Sequence, residues 1–131
     1  MKTIEVAAAI IERDGRIFAT QRGYGEFKGW WEFPGGKIEA GETPKQALVR
    51  EIREELDTSI AVVSPVADVS FDYPDFRLHM RCYHCRLEGG APILLEHSAA
   101  RWVGAQTIDE LRWLPADIQV VAAIKEQGIV V

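Results

Sequence analysis

The sequence predicts an α+β fold in which a mixed β-sheet lies between two helices, and three observations lead there. Several runs alternate or cluster apolar residues between turn signals, as strands do. Two other segments, Pro44 to about Leu56 and Asp117 to Gly128, repeat apolar residues at helical spacing. The two kinds of segment follow one another without regular βαβ alternation, which favours a mixed sheet over a parallel one. The length of 131 residues suits one domain spanning 1–131, large enough to bury about two-thirds of its unfolded surface.

Thr3 to Glu12 is rich in Ala, Ile and Val. Asp14-Gly15, a strong hairpin signal, follows, and then the run Arg16 to Gln21, so the chain opens with two strands. Gly23 to Gly29 is a loop carrying Tyr24 and Phe27 as lid residues. Trp30 to Phe33 is a short strand that delivers Glu32 and Phe33 to the glycine loop Pro34-Gly35-Gly36. Thr43, Pro44 and Gln46 together predict a helix start, with a capping box and proline at the first position. On that helix Leu48, Ile52 and Leu56 form an apolar stripe, and Glu51, Glu54 and Glu55 form the acidic arc next to it. Ile60 to Phe71 and Phe76 to Leu87 read as strands around the turn Tyr73-Pro74-Asp75, and Ala100 to Val103 as another. Thr107 opens a short helical turn. Asp117 caps the last helix, whose inner face is Val120, Val121 and Ile124.

Carboxylates three and four residues apart repel on a helix, by roughly 0.2–0.5 kcal/mol per pair, and folding has no use for them. A hard divalent cation reverses the sign of that cost, because Mg²⁺ binds carboxylate oxygens together with substrate phosphates. Arg50, four residues before Glu54, can hold a carboxylate in one rotamer through a forked hydrogen bond. In isolation the same residues could also be a solvated helix face with an ion pair.

Gly36, Glu42, Arg50, Glu51, Ile52, Glu54 and Glu55 fit the pattern G-x5-E-x7-R-E-U-x-E-E, seven matched positions in 20 residues. On these residues the chain resembles the Nudix hydrolases, in particular the MutT-like nucleoside triphosphate pyrophosphohydrolases and their CTP pyrophosphohydrolase branch, whose members open much as MKTIEVAAAIIERDG does. The resemblance implies a Nudix α/β/α sandwich and Mg²⁺-dependent cleavage of a nucleoside triphosphate to the monophosphate and pyrophosphate, with Mn²⁺ as a substitute ion. It implies metal ligation by the Gly35 carbonyl, Glu51, Glu54, Glu55 and Glu96, and contact with substrate by Arg22, Glu32, Phe33, Gly35 and Asp117. Arg50, Glu51, Glu54 and Glu55 are the expected catalytic residues; which glutamate acts as the base differs among family members, and Glu51 is the expected one in this chain. The pattern usually continues with glycine and an apolar residue where this chain has Asp57 and Thr58, so a less favourable left-handed helix cap is expected there.

An ionised carboxylate at Asp117 would only accept hydrogen bonds, which favours a base edge with an amino or ring N–H donor, such as the cytosine N4 amino group. Cytosine or modified and oxidised nucleotides, as in nucleotide-pool sanitation linked to DNA repair, are therefore the expected substrates. An 8-oxo-dGTP diphosphatase of MutT type and a catalytically inactive nucleotide-binding sensor are the alternatives. A net charge of −5 argues against a nucleic-acid polymer as partner. No stretch suits a membrane and no secretion signal is evident, so a cytoplasmic monomer or homodimer is expected. Cys82 and Cys85 form C-x-x-C within a strand run, where residues three apart face opposite sides. They are read as reduced strand residues, with His79 and His84 as surface or satisfied core positions.

Overall fold

The computed structural model describes residues 1–131. It contains β1 (Lys2–Arg13), β2 (Arg16–Gln21), β3 (Trp31–Glu32), β4 (Gly35–Lys37), α1 (Pro44–Leu56), β5 (Ile60–Asp72), β6 (Phe76–Leu87), β7 (Ala99–Val103), a 3₁₀ turn at Ile108–Glu110 and α2 (Pro115–Glu126). β1 is the central strand. It runs parallel to β6 along one edge, from the Lys2–Phe76 pair to Ile11–Cys85, which makes the sheet mixed. Its other edge is shared: β4 pairs antiparallel with Val6 to Ala8, and β2 pairs only through the hairpin residues Glu12 and Arg13. β5 completes the β6 edge, and β7 and β3 flank β2 on opposite sides.

Alternation along β1 builds two cores. Ala8 and Ile10 face a 19-residue cluster that includes Val120, Val121 and Ile124 of α2. Ala7, Ala9 and Ile11 face a 9-residue cluster with Leu48, Ile52 and Leu56 of α1. Each of those α1 side chains is fully buried, a contribution of about 1.5–3 kcal/mol apiece. The result is the α/β/α sandwich expected from the sequence. The C-x-x-C pair divides as strand geometry requires, Cys82 into the α2-side core and Cys85 into the α1-side core, both as free thiols. Burial pushes the Cys85 thiol up to about 12 and Cys82 further still, so neither is primed for reaction. His79 bridges Glu5 and Asp68 on neighbouring strands, and His84 reaches Glu12. No helix is long and apolar enough to cross a membrane.

α1 starts as its sequence dictates. The Thr43 hydroxyl accepts from the Gln46 amide at 3.1 Å, and the Gln46 side chain accepts from the Thr43 amide at 3.0 Å. Asp57 ends it in the left-handed region (φ 48°, ψ 43°), with its amide donating to the Arg53 carbonyl. Asp does the work that glycine would do there, at a modest conformational cost.

Three local expectations need correction. The glycine loop is partly a strand: Gly35 to Lys37 pair with β1 as β4, a long-range pairing with no local signal. α2 begins two residues before Asp117, with Leu114 as cap and Pro115 in the first turn. Asp117 therefore sits inside the helix and donates its amide to the Leu114 carbonyl, while its side chain caps nothing. Thr107 likewise does not cap through its side chain; its hydroxyl accepts from the Gly104 amide.

Candidate active site

β1, β4, the start of β6, the second half of α1 and the first turn of α2 enclose a cleft of about 650 Å³, within the usual range for small-ligand sites. Arg22, Glu32, Phe33, Gly35, Glu51, Glu55, Glu96 and Asp117 all line it. Arg50 and Glu54 do not; they stand behind the acidic wall. Eight carboxylates line the cleft (Glu26, Glu32, Glu39, Glu51, Glu55, Asp75, Glu96 and Asp117) against two cationic side chains, Arg22 and Lys37. A polyphosphate enters such a space only with cations to offset the repulsion.

Arg50 organises the acidic wall. Its Nε and Nη2 fork onto Glu42 at 2.7 and 2.9 Å, its Nη1 reaches Glu51 at 3.0 Å and Glu54 at 3.2 Å, and Nη2 also donates to the Lys37 carbonyl at 3.0 Å. The fork holds the Glu42 carboxyl down at about 2. One guanidinium thus joins the loop before α1, the end of β4 and two residues of the helix. Lysine offers a point charge without the planar fork. Arg50→Lys is therefore expected to lower turnover by about tenfold, through misplacement of Glu51, while far-ultraviolet circular dichroism is unchanged.

Glu51 fits where it does because Gly36 has no side chain. A Cβ on Gly36 would lie 2.3 Å from the Glu51 Cδ. Gly35 is closer to the main chain, and a Cβ there would lie 2.0 Å from the Ala7 carbonyl oxygen. The amides of Ala9 and Ile38 bond the carbonyls of Pro34 and Glu5, so Ala8 and Gly35 form a non-hydrogen-bonded pair. The Gly35 carbonyl consequently points away from β1, free of the ladder.

Glu55 is displaced electrostatically. Its Oε2 is buried with no hydrogen-bond partner. Burial first, then the charges of Glu51 and Glu96, push its carboxyl up to about 8. No three His, Cys, Asp or Glu side chains are already gathered for chelation, and Glu54 is 58% exposed and turned to Arg50. Magnesium does not need such a cluster, since it is usually held by one or two carboxylates plus substrate phosphates and water. An orphaned buried carboxylate oxygen, its neighbour Glu51 and an unladdered carbonyl fit a hard divalent cation on those terms.

Away from this wall, Arg22 forks onto Glu32 at 2.9 and 2.8 Å, which raises the arginine pKa further, and lies 5.7 Å from the Tyr24 ring centroid. Phe33 stacks on Trp113 at 4.5 Å and is 4% exposed, so it is as much core as cleft wall. Its amide donates to Asp117 Oδ1 at 3.2 Å. Main-chain bonds from Trp31 to the Arg112 carbonyl and from Leu114 to the Trp31 carbonyl fix the start of α2 beside β3, which brings these two residues together. Burial, first among the causes, pushes the Asp117 carboxyl up to about 8. The same cleft has an aromatic and aliphatic portion from Phe27, Tyr73, Phe76, Leu78 and Met80.

His97 lines the cleft too, with a buried and unpartnered Nδ1, and burial lowers its pKa. A lone histidine after an acid carries no signal in the sequence that singles it out. Tyr73 reads in the sequence as a turn residue, yet it lines the cleft and its hydroxyl accepts from the Ala116 amide at 3.4 Å.

Comparison with known proteins identifies the family and the fold. A family model described as NUDIX domain matches residues 1–124. The CTP pyrophosphohydrolase of Escherichia coli K12 is 40% identical over 124 residues, covering 94% of this chain and 92% of the relative. The 8-oxo-dGTP diphosphatase of Haemophilus influenzae is 36% identical over 122 residues, covering 92% and 90%. The solution structure of the E. coli ORF135 protein superposes with a TM-score of 0.84 at 39% identity, covering 96% of this chain and 91% of that one. The MutT structure from methicillin-resistant Staphylococcus aureus gives 0.77 at 39% identity, covering 98% and 100%. With the glycine turn, the arginine hub and the acidic helix in the places its pattern demands, the chain belongs to the Nudix hydrolase family.

Proposed function

We propose that the protein is a Mg²⁺-dependent nucleoside triphosphate pyrophosphohydrolase that releases a nucleoside monophosphate and pyrophosphate, with cytosine nucleotides, including modified ones, as preferred substrates. The observation that carries this reading is the buried, unpartnered Glu55 Oε2 beside Glu51 in an acid-lined cleft large enough for a nucleotide. Glu51, Glu55, the Gly35 carbonyl and Glu96 are the groups that would hold the ion, with Glu54 behind them on Arg50. When bound, a divalent cation, Mg²⁺ with Mn²⁺ as a substitute, neutralises the phosphates and lowers the pKa of the attacking water. Glu51 takes the proton from that water, its carboxylate kept in one rotamer by Arg50. Arg22 supplies positive charge to the polyphosphate, and the pair with Glu32 restrains its guanidinium at the cleft wall.

Asp117 reads the base. At neutral pH its carboxyl retains its proton, because burial outweighs the Phe33 hydrogen bond. It therefore presents a donor and an acceptor side by side rather than the two acceptors expected from sequence. Cytosine offers the complement, an N3 acceptor beside the N4 amino donor. As pH rises through about 8 the proton is lost, and the ratio of kcat/KM for CTP to that for GTP is expected to fall. Asp117→Asn keeps a donor and an acceptor without titrating, so its ratio should stay flat over the same range; steady-state kinetics from pH 6 to 9.5 check both.

The 8-oxo-dGTP diphosphatase names among the relatives at 36–38% identity support a second reading, an enzyme of oxidised guanine nucleotides. Measuring pyrophosphate and phosphate release over canonical, oxidised and methylated triphosphates, with Mg²⁺ or with EDTA, separates the two. Guanine species used tenfold better than every cytosine species would replace the first reading with the second. Undiminished turnover in EDTA would remove the metal.

A further inference from the structure

We propose that Thr58 is a positioning residue for Glu96, acting through a main-chain clamp between the end of α1 and the loop from Glu88 to Ser98. Thr58 follows the left-handed cap Asp57 and is 3% exposed, one of the few polar side chains buried in the protein. Its hydroxyl donates to the Gly90 carbonyl at 2.6 Å. Around it the loop is stitched to the helix by amides. Glu88 donates to the Ser59 carbonyl at 2.9 Å, Ile93 to the Leu56 carbonyl at 2.8 Å and Leu95 to the Glu55 carbonyl at 3.2 Å. The last two acceptors are carbonyls that a helix end leaves without an internal partner.

Packing contributes little to holding this loop. Ile93, Leu94 and Leu95 are 53%, 36% and 57% exposed, so hydrogen bonds rather than burial set its path. Gly89 lets the chain pass close to Thr58; a Cβ there would lie 3.3 Å from both the Thr58 hydroxyl and the Ser59 amide. The residue after Leu95 is Glu96, which lines the cleft and whose charge reaches Glu55. The amide bonded to the Glu55 main chain thus immediately precedes the acid that shares the cleft with the Glu55 side chain and whose charge acts on it. Registering the loop on α1 registers one carboxylate against the other.

The kinetic part of the test rests on the role proposed for Glu96; the exchange part does not. Thr58→Val keeps the shape and removes the hydroxyl, leaving the Gly90 carbonyl without its donor. Amide hydrogen exchange at Ile93 and Leu95, followed by NMR, is expected to quicken about tenfold, while exchange at Ala9 and Ile38, which bond within the β1–β4 ladder, stays at the wild-type rate. In Thr58→Val kcat should drop several-fold with little change in KM, and Thr58→Ser, which restores the hydroxyl, should recover both exchange and kcat. Wild-type exchange at Ile93 and Leu95 in Thr58→Val overturns the clamp. Faster exchange with unaltered kcat, in a protein where Glu96→Gln is impaired, overturns the positioning. Should Glu96→Gln itself retain full turnover, the proposed role of Glu96 fails instead, and exchange alone then decides the clamp.

Discussion

Glu55→Gln is expected to lower turnover by on the order of 10²–10³-fold and, in EDTA, to raise the thermal stability of the protein at pH 8. The two effects have one origin. In the metal-free protein the Glu55 carboxyl is buried, its Oε2 has no partner, and its pKa is displaced from 4.5 to about 8. The folded state therefore binds this proton more tightly than the unfolded chain does. Below about pH 4.5 both states hold it and the residue is neutral towards folding. Between about 4.5 and 8 the folded state retains a proton that the unfolded state has released, so stability falls as pH rises. Glutamine never ionises and escapes that loss. Melting curves in EDTA should coincide at pH 4 and diverge in favour of the variant up to pH 8. Adding Mg²⁺ should reverse the order, because an ion that binds only the folded wild type stabilises it by mass action. A variant less stable than wild type in EDTA at pH 8, or one with full turnover at saturating Mg²⁺, would contradict the assignment of Glu55.

Most of α1 was legible because its determinants are local. The capping box of Thr43 and Gln46, the stripe of Leu48, Ile52 and Leu56 and the left-handed Asp57 are all written within three or four residues of one another, and each is present. The division of Cys82 and Cys85 between opposite cores was legible for the same reason, since a strand's two-residue period fixes it. What escaped was long-range. Gly35 to Lys37 become a strand only because β1 offers an edge about thirty residues earlier. Asp117 looked like a cap because aspartate is a good one. Its carboxylate instead meets the Phe33 amide across 84 residues, in a burial that the sequence could not announce and that changes its protonation. Helical spacing groups Glu51, Glu54 and Glu55 on one arc of α1, but it does not say which of them face the cleft. Glu51 and Glu55 do, while Arg50 draws Glu54 outward. The docking of the Glu96 loop on the helix end was equally invisible, being made by main-chain atoms that carry no residue signature.

The glycine pair separates folding from function by a single position. Gly35→Ala would drive a Cβ to 2.0 Å from the Ala7 carbonyl oxygen and 2.8 Å from the Ala8 Cα, both main-chain atoms of the central strand. Neither can move without opening the β1–β4 ladder beside β6, so a loss of about 3 kcal/mol or more is expected, visible as a lowered denaturant midpoint. In Gly36→Ala the three atoms nearest the new Cβ all belong to the Glu51 carboxylate, 2.3 Å to its Cδ and 2.4 Å to Oε2. That group is the far end of a flexible side chain and can swing aside, so stability should change by less than about 1 kcal/mol. The cost falls on chemistry, because Glu51 leaves the rotamer in which Arg50 holds it, and a displacement of about 1 Å in a reacting group lowers turnover by about 10²-fold. The expected pattern is thus one variant that is unstable and one that is stable but slow, read from equilibrium unfolding and steady-state kinetics on the same preparations. Were Gly36→Ala to turn over as fast as wild type, Glu51 could not be the base. A Gly35→Ala protein as stable as wild type would mean that β4 does not lie against β1 as closely as the structure places it.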